Sequence, residues 1–417
     1  MATGIALSAF GLGAAAAPPI INFLIEYFYV TPDFIGNTRD VVLSTLLDGT
    51  QVVSESSEVG NPGTPVIVAA AKDAARLGIK PGVYELGSGD SGVSQALCAM
   101  GVVYGSIGAA ASRFMKIPSQ RWMPDDYEVD QSTTAGTEIG VPASLATSTA
   151  QYPLLWLSVF GNATGGVILL SSSKIMIMDI WAGALPEFVT ASFAAGYVSV
   201  LGAANAIGRF GWAFASDSLG RRNTYILFAM GLPIIGGTPP LFHYAMGSGG
   251  DTSNAMLASL AAFCGGSFMA VSFYGGVFSV LPAYISDIWG QRHSGAIHGK
   301  LLTAWAASAI CGPFALAYFR SSAVDAAIQD LLSKVDPVEF EKIYNCHVSA
   351  AQHVVDAKTV NIPRLMELAP EGTIDPTPFL YDHTYYFAAS LIGIGALANL
   401  SIKPLDVQAL LKARKLN

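Results

Sequence analysis

Eight stretches of the chain carry no Asp, Glu, Lys or Arg: 2–25, 91–112, 151–173, 188–208, 224–242, 252–286, 301–319 and 383–402. Each is close to the roughly 20 apolar residues that a membrane-spanning helix needs. Each also mixes Gly, Ala and Ser with larger aliphatics, as helices packed together in lipid do. The sixth stretch exceeds one bilayer crossing, so the pattern predicts a helix over 256–281 with loops at each end. Gly161 and Gly165 form a GxxxG on the third helix, read as close packing inside a bundle. The first stretch also suits a secretory signal, with alanines at 14–17 before Pro18, but it lacks the leading positive charge such signals carry.

The polar segments between these helices set an orientation. The loops 113–150, 209–223, 287–300 and 403–417 carry a net +4, whereas 25–90, 174–187, 243–251 and 320–382 carry −12. The bias of Lys and Arg towards the inner face assigns the first set to the cytoplasm. Lys174, Asp179 and Glu187 then fall in a solvated outer loop. Two outer segments are long. The first, 31–90, is predicted to hold a short helix at 66–77. The second, 320–382, shows two helical repeats, Val324, Ile328, Leu331, Leu332, Val335 and Phe340, Ile343, Tyr344, Val348, Ala351, split by Pro337. These predict a helical hairpin. The inner segment 113–150 has no periodicity and reads as a linker.

Composition narrows the class. The 417 residues are 52% hydrophobic and 12% charged, about half the charge of a typical soluble domain. Charge this scarce cannot cover a water-soluble body, and a net charge of −8 excludes nucleic acid as a partner. Cys98, Cys264, Cys311 and Cys346 show no CxxC pairing, and Cys346, His347 and His353 lack metal-ligand spacing, so neither a metal nor a cofactor is expected. The run 295–300 (GAIHGK) is one residue short of a phosphate loop, and Leu301 stands where Ser or Thr is needed. Asn162 and Asn399 head glycosylation triplets inside expected membrane helices. No set of nucleophile, base and orienting group emerges. The reading is an all-α membrane protein that is not an enzyme.

One motif is more specific. Residues 205–222 read NAIGRFGWAFASDSLGRR. Its core, Asp217-x-x-Gly220-Arg221-Arg222 with Ala213 four residues ahead, resembles the cytoplasmic loop motif of the major facilitator superfamily, whose leading residue is Gly. A small residue at 213 and Gly220 permit a short turn. Asp217 suits the positive end of a neighbouring helix, and Arg221 and Arg222 suit carbonyl ends and lipid headgroups. Such contacts would act as a latch, broken when two halves of a carrier rock apart. The runs ATGIALSAFGLGAAAAPPI near the start, SFYGGVFSVLPAYISDIWG at 272–290 and AIHGKLLTAWAASAICGP at 296–313 are similar to the oxalate/formate antiporter (monocarboxylate-transporter-like) branch of that superfamily. The resemblance covers 2–25, 151–319 and the last helix, and not 31–90 or 320–382.

The resemblance implies a major facilitator fold with eight of twelve transmembrane helices. Residues 1–112 would be a remnant of the N-terminal bundle, 113–150 the cytoplasmic linker, and 151–417 a complete C-terminal six-helix bundle with an outer insert at 320–382. Four further helices are expected to precede Met1 in a longer chain.

Within lipid an ionisable side chain is a functional candidate by default. Arg209 is the leading one, because its planar fork matches a carboxylate, and Asn205 lies one turn earlier on the same face. The resemblance implies that an arginine at this position holds the substrate carboxylate. A lysine of oxalate-type members is replaced here by Trp305, and Lys300 lies at the inner end, so a single cation favours a monocarboxylate. Tyr274 and Trp305 are expected as aromatic walls, and Asp287, Arg292 and His298 as an inner rim network. The expected function is a secondary carrier of a small organic anion, working by alternating access with a coupling proton or counter-anion across a lipid bilayer, of the plasma membrane or an organelle. The alternative is a transport-inactive scaffold or sensor of the same ancestry.

Overall fold

The computed structural model describes residues 2–46, 48–71, 74, 79–114, 140–247 and 252–415. It is mostly helical, at 69% of residues, with a small amount of strand that the all-α expectation omitted. In chain order the elements are α1 (Ala2–Phe28), β1 (Phe34–Gly36), β2 (Leu43–Thr45), β3 (Gln51–Val53), β4 (Val66–Ala69), β5 (Gly82–Glu85), α2 (Val93–Ser112) and α3 (Ala143–Ala146). There follow α4 (Gln151–Trp181), α5 (Ala191–Leu219), α6 (Arg221–Phe228), α7 (Gly231–Gly236), α8 (Thr238–Gly247) and α9 (Thr252–Trp289). The chain ends with α10 (Ser294–Leu301), α11 (Thr303–Leu332), α12 (Pro337–Tyr344), α13 (Gln352–Asp356), α14 (Ile362–Leu368), α15 (Asp382–Leu400) and α16 (Val407–Lys415). Six helical segments among the described residues are long and apolar enough to cross a membrane: Val93–Ser112, Gln151–Trp181, Ala191–Leu219, Arg221–Met246, Asn254–Trp289 and Ser294–Leu332. By length and composition this is a multi-pass membrane protein. The chain divides into two compact units, one of 1–19, 114–319 and 381–417, the other of 20–113 and 320–380.

In the first unit, glycines let helix backbones touch. A Cβ on Gly208 of α5 would lie 2.2 Å from the Ser272 carbonyl of α9, and one on Gly275 would lie 2.2 Å from the Asn205 carbonyl. Gly161 of α4 meets the Leu391 carbonyl of α15 at the same distance, so the GxxxG serves packing within the unit. One end of the bundle is sealed by Leu155, Tyr225, Phe228, Trp289 and Leu301, all fully buried. Val141 and Ala146 join that core, and Val141 N–H donates to the Trp289 carbonyl at 2.8 Å. Residues 140–150 therefore belong to the bundle and not to a linker; 115–139 lie outside the described residues.

Helix ends differ from the charge-free windows. α9 runs to Trp289, past the expected end at 281, and at 38 residues is about 57 Å long, more than a bilayer's hydrocarbon core. Asp287 is thus helical rather than in a loop. The window 224–242 is three pieces, α6 to α8, because Pro233, Pro239 and Pro240 have no N–H to continue the ladder. Asp179, expected in a solvated loop, lies inside α4 at 6% exposure and accepts from the Tyr381 hydroxyl at 2.6 Å. Lys174 is on the same helix.

The second unit contains the strands. β1, β5 and β4 form an antiparallel sheet in that order, and β2 pairs with β3. Their inward side chains make a small core of Val41, Val53, Val66, Val68 and Val83. Val66–Ala69 is a strand and not the start of a helix over 66–77, since its burial alternates with a period of two. The expected hairpin in 320–382 also differs. Val324–Leu332 continues α11, whose extra turns carry Asp325 and Asp330. α12 starts at an Asp336 cap, whose carboxylate accepts from Val338 N–H, and ends at Asn345 with φ of 54°, leaving Val348 and Ala351 beyond it. The two long polar segments pack on each other: Thr359 Oγ1 donates to the Gly49 carbonyl at 2.7 Å, and Glu367 accepts from Ala71 N–H at 3.1 Å. On α2, Ala96 and Met100 are buried, while Leu97, Val102 and Ile107 are more than 60% exposed, as suits a lipid-facing helix and not a water-facing one.

Candidate functional site

Three helices of the first unit bring the sequence-derived residues together. Arg209 and Asn205 lie one turn apart on α5, Tyr274 on α9 and Trp305 near the start of α11. Arg209 is 4% exposed, so its charge is buried in protein rather than extended to headgroups. Its Nε donates to Asn205 Oδ1 at 3.3 Å, and its guanidinium stands over the Phe278 ring, 5.3 Å from the centroid. Trp305 Nε1 donates to the Tyr274 hydroxyl at 3.2 Å. Phe278 completes an edge-to-face series, 5.1 Å from Tyr274 and 5.9 Å from Trp305. A Cβ on Gly166 of α4 would collide with the Tyr274 ring at 2.4 Å, so a fourth helix walls this ring closely.

The arrangement couples a buried cation to a π surface and to hydrogen-bonding rims. The ring meets the face of the guanidinium, and the in-plane N–H groups are its hydrogen-bond donors, one of them used by Asn205. Phe278 escaped the sequence reading. It sits one helical turn after Tyr274, and that spacing was the available signal.

The loop motif forms a second cluster. Gly220, at φ 81°, ends α5 and starts α6 in one residue, which the left-handed backbone makes easy for glycine. Arg221 pairs with Asp217 at 2.7 Å and reaches Asp287 of α9 at 3.7 Å, while one of its N–H groups approaches the Ser216 carbonyl at 3.4 Å. Arg222 donates to the Leu400 carbonyl at the end of α15 at 2.8 Å. Asn399 donates to the Arg222 carbonyl and accepts from the Tyr284 hydroxyl, at 3.1 and 3.0 Å. Ala213 is buried one turn before Asp217. Asn399 is thus fully buried in a polar knot. The run 295–300 is inside α10, with Lys300 exposed, and has no phosphate-loop geometry.

Among the described residues no group of three His, Cys, Asp or Glu is placed to hold a metal. Cys346 lies in the second unit, where burial pushes its thiol above the usual range. No family model matches the chain, and no curated protein matches it.

Proposed function

We propose that this protein is a secondary carrier of a small organic anion, a monocarboxylate, with the loop motif and helix runs of the major facilitator superfamily. The observation that carries the reading is Arg209: a guanidinium 4% exposed in an apolar bundle, placed with Asn205, Tyr274 and Trp305. An ionisable side chain buried in such a bundle is a functional candidate by default, and the planar guanidinium matches a carboxylate in bidentate fashion. Tyr274, Phe278 and Trp305 would wall the ligand's carbon end. In this scheme the Asp217–Arg221–Asp287 cluster acts as the latch of an alternating-access cycle, and a proton or a counter-anion supplies the coupling.

The test is uptake of labelled formate, acetate and lactate by the full-length protein in proteoliposomes. Arg209→Lys and Arg209→Ala should each abolish uptake, since neither keeps the fork. Uptake unchanged in both variants refutes the assignment of Arg209. The compact second unit favours one other reading, a transport-inactive sensor of the same ancestry, for which the wild type would move none of these anions.

A further inference from the structure

Outside the bundle, a second arginine is buried with no carboxylate in ion-pair contact among the described residues. Arg364 of α14 is 7% exposed and belongs to none of the ion pairs among the described residues. One terminal nitrogen donates to Gln51 Oε1 at 3.0 Å and to the Thr359 carbonyl at 3.2 Å. The guanidinium lies over the Tyr344 ring, 5.0 Å from its centroid. Two other donors close to it have no hydrogen-bond partner: Gln51 Nε2, on a residue 3% exposed, and the Tyr344 hydroxyl, on one 1% exposed. Burial keeps the Tyr344 phenol protonated at neutral pH, so it remains a donor. Glu367, one turn further along α14, accepts from Ala71 N–H and adds to the upward push on the Tyr344 phenol, but it forms no ion pair with the guanidinium.

Enclosed donors left without acceptors destabilise the fold, and a buried guanidinium without a negative partner does so more strongly. Here two such donors, Gln51 Nε2 of the 31–90 segment and the Tyr344 hydroxyl of the 320–380 segment, lie with the Arg364 cation and share one sign of demand: each donor needs an oxygen acceptor, and the cation needs a negative one. We propose that Arg364, Gln51 and Tyr344 form a binding site for a small carboxylate in the second unit, separate from Arg209. A carboxylate's two oxygens would accept from the free edge of the Arg364 fork, with Gln51 Nε2 and the Tyr344 hydroxyl as the supporting donors. The site does not depend on transport, and such a ligand would also tie the 31–90 segment to the 320–380 segment, because Gln51 and Arg364 come from different ones.

The test is hydrogen–deuterium exchange of the full-length protein in detergent, with sodium acetate against equimolar sodium chloride. Peptides covering 48–54, 337–346 and 359–368 should exchange about tenfold more slowly at an acetate concentration about ten times its Kd. Arg209→Ala should keep this protection, Arg364→Met should lose it, and Tyr344→Phe should weaken it while keeping the ring under the guanidinium. Tyr344→Phe guards against a folding failure of Arg364→Met. Protection no greater than chloride gives, protection equal in wild type and Tyr344→Phe, or protection by phosphate but not acetate would each overturn the proposal.

Discussion

The tightest constraint in the bundle is the contact of Gly208 with α9, and it lies one residue before Arg209. A Cβ at 208 would sit 2.2 Å from the Ser272 carbonyl oxygen, 2.6 Å from its Cα and 2.7 Å from its carbonyl carbon. All three are backbone atoms, so no side chain can swing aside, and ordinary contact at about 3.5 Å requires the helices to part by about 1 Å. Overpacking of this kind costs about 1–3 kcal/mol, against a gain of up to about 1 kcal/mol from the better helix propensity of alanine. Gly208→Ala should therefore lose about 1–2 kcal/mol net, a fall in Tm of roughly 2–8 °C. Gly211, on the same helix, has open space where its Cβ would go. Gly211→Ala collects the propensity gain alone and should melt at or above the wild type. A thiol-reactive fluorogenic melt reads both variants, since Cys264 and Cys311 are partly shielded in the fold. Gly208→Ala melting as high as Gly211→Ala would refute the close approach of α5 and α9.

Three further outcomes follow from particular contacts. Asn399→Leu strands the Arg222 carbonyl and the Tyr284 hydroxyl and should cost about 1–3 kcal/mol in the same melt, with Tyr284→Phe costing less because it removes one bond. Tyr381→Phe removes a hydrogen bond to the buried Asp179 carboxylate and should cost about 1.5–3 kcal/mol, and a melt identical to wild type would show that the hydroxyl contributes nothing there. Asp90 accepts from Gly92 N–H and the Gln95 amide at the start of α2, and these bonds, the Gly92 one first, hold its carboxyl below the usual carboxylate range. A depressed carboxylate stabilises the fold above its unfolded value and loses that stabilisation as pH falls through its folded value. Exchange protection of peptide 90–100 should thus differ between wild type and Asp90→Asn at neutral pH, and the difference should fade as the pH falls below the ordinary carboxylate range and through the lower value of the folded Asp90.

What the sequence carried and what it hid have physical causes. Charge-free windows mark apolar helices well, since every backbone polar group in lipid must be paired within the helix. They mark helix ends poorly, because a helix can leave the lipid and go on in water. Asp287 and the Asp325–Asp330 turns of α11 are such continuations. Asp179 reads as a loop residue only if its partner is unknown, and Tyr381 is 202 positions away. Strands of three or four residues are too short for their alternation to stand out, which is why β4 read as helix. Arg209, Asn205, Tyr274 and Trp305 were each legible singly, by type and helical position. Their meeting depends on Gly208 and Gly275 bringing two backbones together, and no local pattern states which helix a glycine will face.

The second unit bears on how the chain threads the membrane. Its two long polar segments, near Gly49–Gln51 and Thr359–Arg364, are joined by hydrogen bonds of 2.7 and 3.0 Å. Segments bonded in this way share one aqueous side, because no polar loop can be satisfied in hydrocarbon. The chain between residues 90 and 320 must therefore cross an even number of times. Six long apolar helical segments begin within that interval, from Val93–Ser112 to Ser294–Leu332. Were the mostly exposed Val93–Ser112 not a crossing, five would remain and the two segments would be separated by the bilayer. The six charge-free stretches between residues 90 and 320 give the same parity, and the set of alternate loops that holds 25–90 and 320–382 carries the net −12.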